Sequence, residues 1–506
     1  MIKDYLKKNK ILKDYLKKNI LYYKNFINFL KFYFFLIMYN FNFYMEHRSV
    51  FLLQYYIYNL LLKNIESNRF SYKKNNKIFE KIESLYNDST YRFPNNFLFH
   101  YFMSRAYVYN CRKEFLKCNE KMINLQNRIM EKSNKKFHVI EPGYAFLTIG
   151  SIYTIDAWIK SIKLNFCRFN KLILPTPKTL KKPVNPTLIK YLSKHIKIIK
   201  DLKESEKYLK LLKSHGCWHS QFINIKQKKI PYAYSASVYI EHIWHKKKKK
   251  PLFVLSKKDL IKGKKILKKM GVSENSWFVT SHVRDANFKS KETYRDSDIT
   301  TFYKAYREII NNGGYVMRMG DKNTKDIEFN NGKFIDYAKS EFKSDFMDIF
   351  LCARAKFMLG TSSGLSAVSY VFGTPIVMVN YVPISSIYLR KGDIFIPPTF
   401  IDLKKKKKLS FKKIMSTPYS LGASENIYKN ILNVELKKND DKDIYLVVQE
   451  MINNLIFKKK YSKEDEKLQK KFKKITLSEN TLLESNIPIQ CRIGKDFLKK
   501  NYNLLH

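Results

Sequence analysis

The chain has 506 residues, long enough for two or three domains, each with its own core. Hydrophobic residues make up 45% and aromatics 15%, which excludes a disordered chain. The formal net charge of +52 is almost all lysine, with Asn, Ile, Tyr and Phe inflated beside it as in an AT-biased coding sequence, so charge alone names no partner.

No arginine-rich arm, RNA-binding aromatic motif or zinc-finger spacing occurs, and nucleic acid is not an expected partner. Lysine runs at 246–250 and 404–408 read first as solvated loops. The six cysteines are scattered without a CxxC pair, which argues against a zinc site or a disulfide framework and points to a reducing, cytoplasmic compartment.

At the N-terminus KDYLKKN occurs at 3–9 and again at 13–19, ahead of ILYYKNFINFLKFYFFLIMY (20–39). Lys24, Lys31 and two asparagines interrupt that apolar stretch, and no small-residue cleavage site follows. Three readings stay open: a helix at the membrane interface with snorkelling lysines, a buried helix, and a true span. The first brings an anionic membrane surface, peripheral to the cytoplasmic face, onto the list of expected partners.

From 40 to 138 apolar residues recur every three or four positions, and an all-helical region is expected. The texture changes at FHVIEPGYAFLTIGSIYTIDAWIKSIKL (137–164), read as a strand over 145–149, a turn at Gly150 and Ser151, and a helix to Leu164. KLILPTP (171–177) is the next strand, so 139–245 reads as a first Rossmann-like half. The lysine-rich join is followed by SKKDLIKGKKILKKMGV, an amphipathic helix closed by Gly271.

The second half, 275–400, is the most legible. Strands are expected at WFVTSHV (277–283), YVMRM (315–319), FIDY (334–337), KFML (356–359) and PIVMVN (375–380). Helices between them are capped by Asp298 and Ser344 and ended by Gly313 and Gly373. Alternating strands and helices mean parallel order, and two such halves would face each other across a cleft where ligands bind. Residues 401–506 are expected to be helical and lysine-rich.

Seven of the fifteen glycines fall between Gly313 and Gly373, against the bias of the chain. The turn Gly360, Thr361, Ser362, Ser363, Gly364 lies between a strand and a helix N-terminus, a place suited to a phosphate or diphosphate. No GKS/T follows, so it is not a Walker loop. Arginine is uncommon here, and an Arg marks sites that need a planar bidentate donor. Arg284 ends the strand beside that turn; Arg295 is a candidate for the cleft, Arg307 for a surface ion pair, and Arg318 for a buried partner such as Asp321 or Asp348.

HVRD (282–285), YVMRMGD (315–321), SDFMDIFLCARAKFMLGTSSGLSAVSYVFGTP (344–375) and NYVP (380–383) resemble a glycosyltransferase family of bacterial surface-polysaccharide gene clusters. More distantly, they resemble the fucosyltransferase group of GT-B enzymes. The resemblance spans roughly 140–400 and implies a GT-B-like α/β fold with two Rossmann-like domains after a helical region. It implies transfer of a hexosyl or fucosyl unit from a nucleotide-diphosphate sugar to a cell-surface glycan or lipid-linked acceptor. Arg284 would contact the donor diphosphate with Ser362 and Ser363 beside it, His282 would shape the strand end, and Gly320 and Asp321 would approach the nucleotide.

No cofactor beyond the donor substrate is expected. The D-x-D spacing of Asp296 and Asp298 suits Mg²⁺, but Asp298 is better used as a helix cap, so metal-independent stabilisation by Arg284 and the turn amides is preferred. The general base is left among Asp285, Asp321, Glu141 and Asp156, the last of which equally suits a solvated helix face. A pyruvyl-transferase-like enzyme and a non-catalytic nucleotide-binding adaptor are the alternatives weighed.

Overall fold

The structure, a computed structural model, describes residues 52, 72–92, 99–100, 103–104, 106–107, 114–133, 136–167, 169–178, 183–214, 233–285, 293–384, 388–421, 425, 427–477 and 489–506. The stretch 20–39, with its three membrane and core readings, lies outside the described residues. No described helix is long and apolar enough to cross a membrane.

Two amphipathic helices open the described chain, α1 (Tyr72–Arg92) and α2 (Phe115–Ser133). Buried polar pairs fasten this region: Tyr86 Oη lies 2.9 Å from His100 Nδ1, and Ser104 donates to Asn119 over 2.8 Å.

The first α/β half follows as β1 (Phe137–Val139), α3 (Ile152–Lys163), β2 (Lys171–Pro175), α4 (Pro186–Leu192), β3 (Lys197–Ile199) and α5 (Leu202–Ser214). Its three strands are parallel in the order β1-β2-β3. The expected strand at 145–149 is not one. Pro142 and Gly143 break the chain after β1, and Gly143–Phe146 forms a single helical turn, so the strand sits eight residues earlier in FHV. Asn185 caps α4 by accepting from Leu188 N and also donates to the Asp345 carbonyl, tying the two halves together.

Helices α6 (Ala233–Lys246) and α7 (Lys257–Lys269) bridge to the second half. That half comprises β4 (Phe278–His282), α8 (Tyr303–Asn311), β5 (Tyr315–Arg318), β6 (Phe334–Ile335), α9 (Asp345–Arg354), β7 (Phe357–Gly360), α10 (Gly364–Phe372), β8 (Ile376–Met378) and β9 (Ile394–Phe395). The predicted caps operate: Asp298 accepts from Thr300 N, Ser344 accepts from Met347 N, and Gly373 closes α10 at φ +90°.

The region expected to be helical and lysine-rich also carries strands. β10 (Thr399–Asp402), β11 (Lys407–Lys408) and β12 (Val434–Lys437) form an antiparallel sheet. After α11 (Asp441–Leu455) and α12 (Lys463–Ile475), β13 (Arg492–Ile493) pairs with β9, and α13 (Lys495–Lys500) follows. The large sheet is therefore seven-stranded and wholly parallel, in the order β13-β9-β8-β7-β4-β5-β6.

One hydrophobic core runs through both halves, from Ile140 to Leu505. Helix α3 packs against α10, and α4 against α9, so the halves join through their helices. Between α3, α6 and α10 the core is charged. Lys160 Nζ lies 2.7 Å from both Asp156 and Glu241, and all three residues are buried. That cluster borders a pocket of about 180 Å³ at the C-terminal end of α10, the end remote from the hydroxylated turn.

Candidate functional site

Parallel strands β4, β5, β7 and β8 deliver their following loops to one sheet edge. There the first predicted site residues come together. Arg284 N donates to Thr361 Oγ1 over 3.1 Å, and Thr361 N donates to the His282 carbonyl over 3.1 Å. The loops after β4 and β7 are thus laced to each other, and Thr361 is wholly buried. A side chain on Gly360 would collide with the His282 carbonyl, so this glycine serves the approach of two strands and not that of a ligand.

The Arg284 side chain is buried and its Nε donates to Asp296 Oδ1 over 3.1 Å. Burial holds the Asp296 carboxyl above its ordinary range even though Arg284 opposes the shift. The two carboxylates of the D-x-D spacing therefore have separate tasks, one orienting Arg284 and the other capping a turn. Ser297 N donates to the Arg284 carbonyl, and Asn380 Nδ2 donates to Ser297 Oγ over 2.9 Å. Asn380 and Asn439 then exchange a pair of bonds: each backbone N–H donates to the other's amide oxygen, over 2.8 and 2.7 Å. Beside them Lys438 donates to the Tyr294 carbonyl, and burial brings its ammonium down to about 8.

The other predicted residues are dispersed along the same edge. His282 keeps partial exposure, but its Nδ1 is sealed from solvent and has no hydrogen-bond partner among the described residues. Burial lowers its imidazole to about 4, so the ring is neutral near pH 7. Asp285 Oδ2 accepts from Lys325 N over 3.1 Å. Gly320 has φ +155°, and a Cβ there would sit 2.7 Å from Thr324 Cγ2. Asp321 is exposed and folds onto its own loop, accepting from Asn323 N and Nδ2.

The arginine expectations change in two places. Arg318 pairs with Asp336 over 2.8 Å, not with Asp321 or Asp348; Asp348 is taken by Lys343 and Tyr337. Strand β6 runs beside β5, so the residue just after β6 is nearer than a loop residue in sequence. Arg307 lies over the Phe329 ring at 5.8 Å, a cation–π contact where an ion pair was expected. Arg295 rests over Tyr294 at 5.9 Å.

The remaining half of the turn faces the first α/β half. A Cβ on Gly364 would lie 2.5 Å from Ile149 Cγ2 and 3.1 Å from Gly150 N, and one on Gly150 would lie 3.2 Å from Gly364 Cα. Helices α3 and α10 therefore begin at a shared point, backbone against backbone. Their positive dipole ends converge there. Ser363 Oγ is sealed from solvent with no hydrogen-bond partner among the described residues, while Ser362 is part-exposed. Ser366 takes the capping task, receiving Ser363 N and lying 3.0 Å from Tyr388 Oη. Tyr388 in turn stacks on Tyr153 of α3 at 4.8 Å, an aromatic tie between the halves.

Among the candidate bases the structure separates two in the first half. Asp156 is buried and paired with Lys160, not on a solvated face. Glu141 stands just after β1, on the same connection as Gly150, and burial raises its carboxyl to about 7. Lys438 and Asn439 were not singled out by sequence, and Asp296 and Asn380 stood out only as half of a metal-type D-x-D spacing and as the start of NYVP. An isolated Asn or Lys after a short strand carries no signal until its through-space partner is known. Among the described residues no three His, Cys, Asp or Glu side chains gather as a metal-binding group.

No family model matches the sequence, and no curated protein matches it. Among solved structures, the chain is similar to a glycosyl transferase of family 9 from Veillonella parvula DSM 2008, with 10% identity and a TM-score of 0.39, over 64% of this chain and 96% of that one. It is also similar to the ADP-heptose lipopolysaccharide heptosyltransferase II of E. coli, with 11% identity and a TM-score of 0.32, over 52% of this chain and 90% of that one.

Proposed function

We propose that the chain is a glycosyltransferase that moves a sugar from a nucleotide-diphosphate donor to a glycan or lipid-linked acceptor. The observation that carries this reading is the shared start of α3 and α10 at Gly150 and Gly364, with the sealed Ser363 hydroxyl at the same turn. Two converging helix N-termini suit the two negative charges of a diphosphate better than a neutral ligand. The motif resemblance of 282–285, 315–321 and 344–375 points the same way.

In this reading the donor diphosphate lies at the turn and gains charge as its bond to the sugar breaks. Arg284, already oriented by Asp296, and the neighbouring Lys438 supply positive charge at that edge. A buried guanidinium held in one rotamer loses little freedom when it acts. Glu141 takes the proton from the acceptor hydroxyl, since a carboxylate raised to about 7 is a stronger base than an ordinary one and still ionised in good part near neutrality. Asp321 serves its own loop, Asp285 ties its loop to the one after β5, and both position the donor edge.

Thermal melting with UDP, GDP and ADP tests the donor half, because a ligand of the folded state raises its apparent stability. A rise with at least one of the three is expected, followed by release of that diphosphate from the matching sugar nucleotide in the presence of surface-glycan or lipid acceptors. If none of the three shifts the melt and no sugar nucleotide is consumed, the reading fails.

A further inference from the structure

The segment 246–269 carries twelve lysines and a single acidic residue, Asp259. Lysine and arginine together are 96 of 506 residues in the whole chain, so half of this segment being lysine exceeds even that bias. The acid is turned inward. Asp259 is buried, accepts from Tyr191 Oη over 2.5 Å and pairs with Lys190 over 3.0 Å.

The orientation of α7 is fixed by packing. A Cβ on Gly263 would overlap the Phe350 ring, so the helix sinks onto α9 through that glycine. Ser256 caps its start by accepting from Asp259 N. Leu260, Ile266 and Leu267 pack on the core from the same side. What is left outward is one continuous stripe. Lys257, Lys264, Lys265 and Lys268 stand at i−4, i+3, i+4 and i+7 from Ile261, and all five are exposed. Ile261 is 59% exposed in the middle of them, and Val254, just before the helix, is 64% exposed.

We infer that the outward face of α7 is a docking surface for an anionic lipid bilayer. Lysines around a protruding aliphatic side chain fit phosphate headgroups above acyl chains. A nucleic-acid face would be expected to carry arginine or stacking aromatics, and the exposed positions of this helix hold neither. The inference rests on side chains that have no role in the proposed donor site and does not depend on the transferase reading.

The test uses the full chain with vesicles of phosphatidylcholine alone and of phosphatidylcholine with phosphatidylglycerol, in co-sedimentation over a salt series. Binding to the anionic vesicles that weakens with salt is expected. A Lys257→Gln, Lys264→Gln, Lys268→Gln triple variant should bind at least tenfold more weakly, from roughly fivefold per lysine. Ile261→Asp should also weaken binding, and Ile261→Leu should keep it. A Lys264→Glu single variant repeats the charge test with one exposed side chain, and melting temperatures equal to the parent exclude misfolding in each case. Neutralising Lys404–Lys408 to glutamine should leave binding within about twofold. The inference is overturned if that control costs as much as the triple variant, if the α7 variants bind like the parent, or if a single-stranded oligonucleotide binds more tightly than the anionic vesicles and displaces them.

Discussion

Gly150 and Gly364 meet backbone to backbone: a Cβ on Gly150 would lie 3.2 Å from Gly364 Cα, and one on Gly364 3.1 Å from Gly150 N. The contact joins the β1–α3 connection of one half to the β7–α10 turn of the other, and it sets the spacing of the two helix starts. Replacing Gly364 by Ala places a methyl group 2.5 Å from Ile149 Cγ2. A loss of about 1–3 kcal/mol in chemical denaturation is expected from this overpacking. Adding Ile149→Val should recover part of the loss, whereas unaltered stability in Gly364→Ala would mean that the halves do not touch there.

Arg284 and Asp296 form the second coupled pair. Arg284→Ala should lower turnover by roughly two to three orders of magnitude, as for loss of one transition-state donor. Asp296→Asn, which keeps the shape but loosens the orientation, should cost less than the arginine itself. Ser363→Ala should also cost less, because backbone amides of the turn remain. Steady-state kinetics on a sugar nucleotide checks all three, and wild-type turnover in Arg284→Ala would remove this arginine from the site.

Glu141 predicts a pH profile. With its carboxyl raised to about 7, the basic form is lost as pH falls through that value, so turnover should rise across about pH 6–8 and then level off. Glu141→Gln should remove most activity and the limb with it. The same shift acts on stability with the opposite sense: the folded state holds this proton more tightly, so the group favours folding at low pH. That contribution is lost as pH rises through about 7. A Glu141→Gln variant should accordingly show a flatter pH dependence of melting between pH 5 and 8, on the order of the whole effect of one group.

Lys160 pairs with both Asp156 and Glu241 inside the core that joins the halves. Lys160→Met leaves two carboxylates buried without their cation, and a loss of about 3–5 kcal/mol near neutral pH follows. Burial already raises Asp156 to about 6, so protonation below that pH should relieve part of the penalty. Denaturation of the variant at pH 5 and pH 8 checks the sign: the deficit should be larger at pH 8.

Much of the second half can be read from sequence because its strands are short apolar runs punctuated by residues with one clear local use. Ser344, Asp298 and Gly373 act on backbone groups within three residues, and the caps they form are the ones expected. The first half is harder. The runs FHVI and AFLTI are equally apolar, and only the break at Pro142 and Gly143 decides which one extends. Partners across the fold are harder still. Nothing near Arg318 in the chain points to Asp336, and, although Asp298 reads as a cap, nothing near Arg284 points to Asp296 as its orienter. At the site, the neighbourhood of Arg284 and the hydroxylated turn follows from strand order, whereas Glu141 stands apart from Asp156, Asp285 and Asp321 only once burial is known. The glycines mark close approach as expected, but at Gly360 and Gly364 it is this chain's own backbone that approaches.

Strand β13 is paired with β9 although its residues lie about a hundred positions downstream. During synthesis the large sheet therefore waits. Its central strands are in hand once residue 378 has emerged, yet β9 keeps an open edge while more than ninety further residues are made. Closing such a long loop costs entropy only slowly with length, so the delay is one of time more than of stability. An unpaired edge on a forming parallel sheet is a place where a second nascent chain can add itself. Release of the segment around Arg492 and Ile493 is thus the moment at which β9 is covered and the edge on that side passes to the short strand β13.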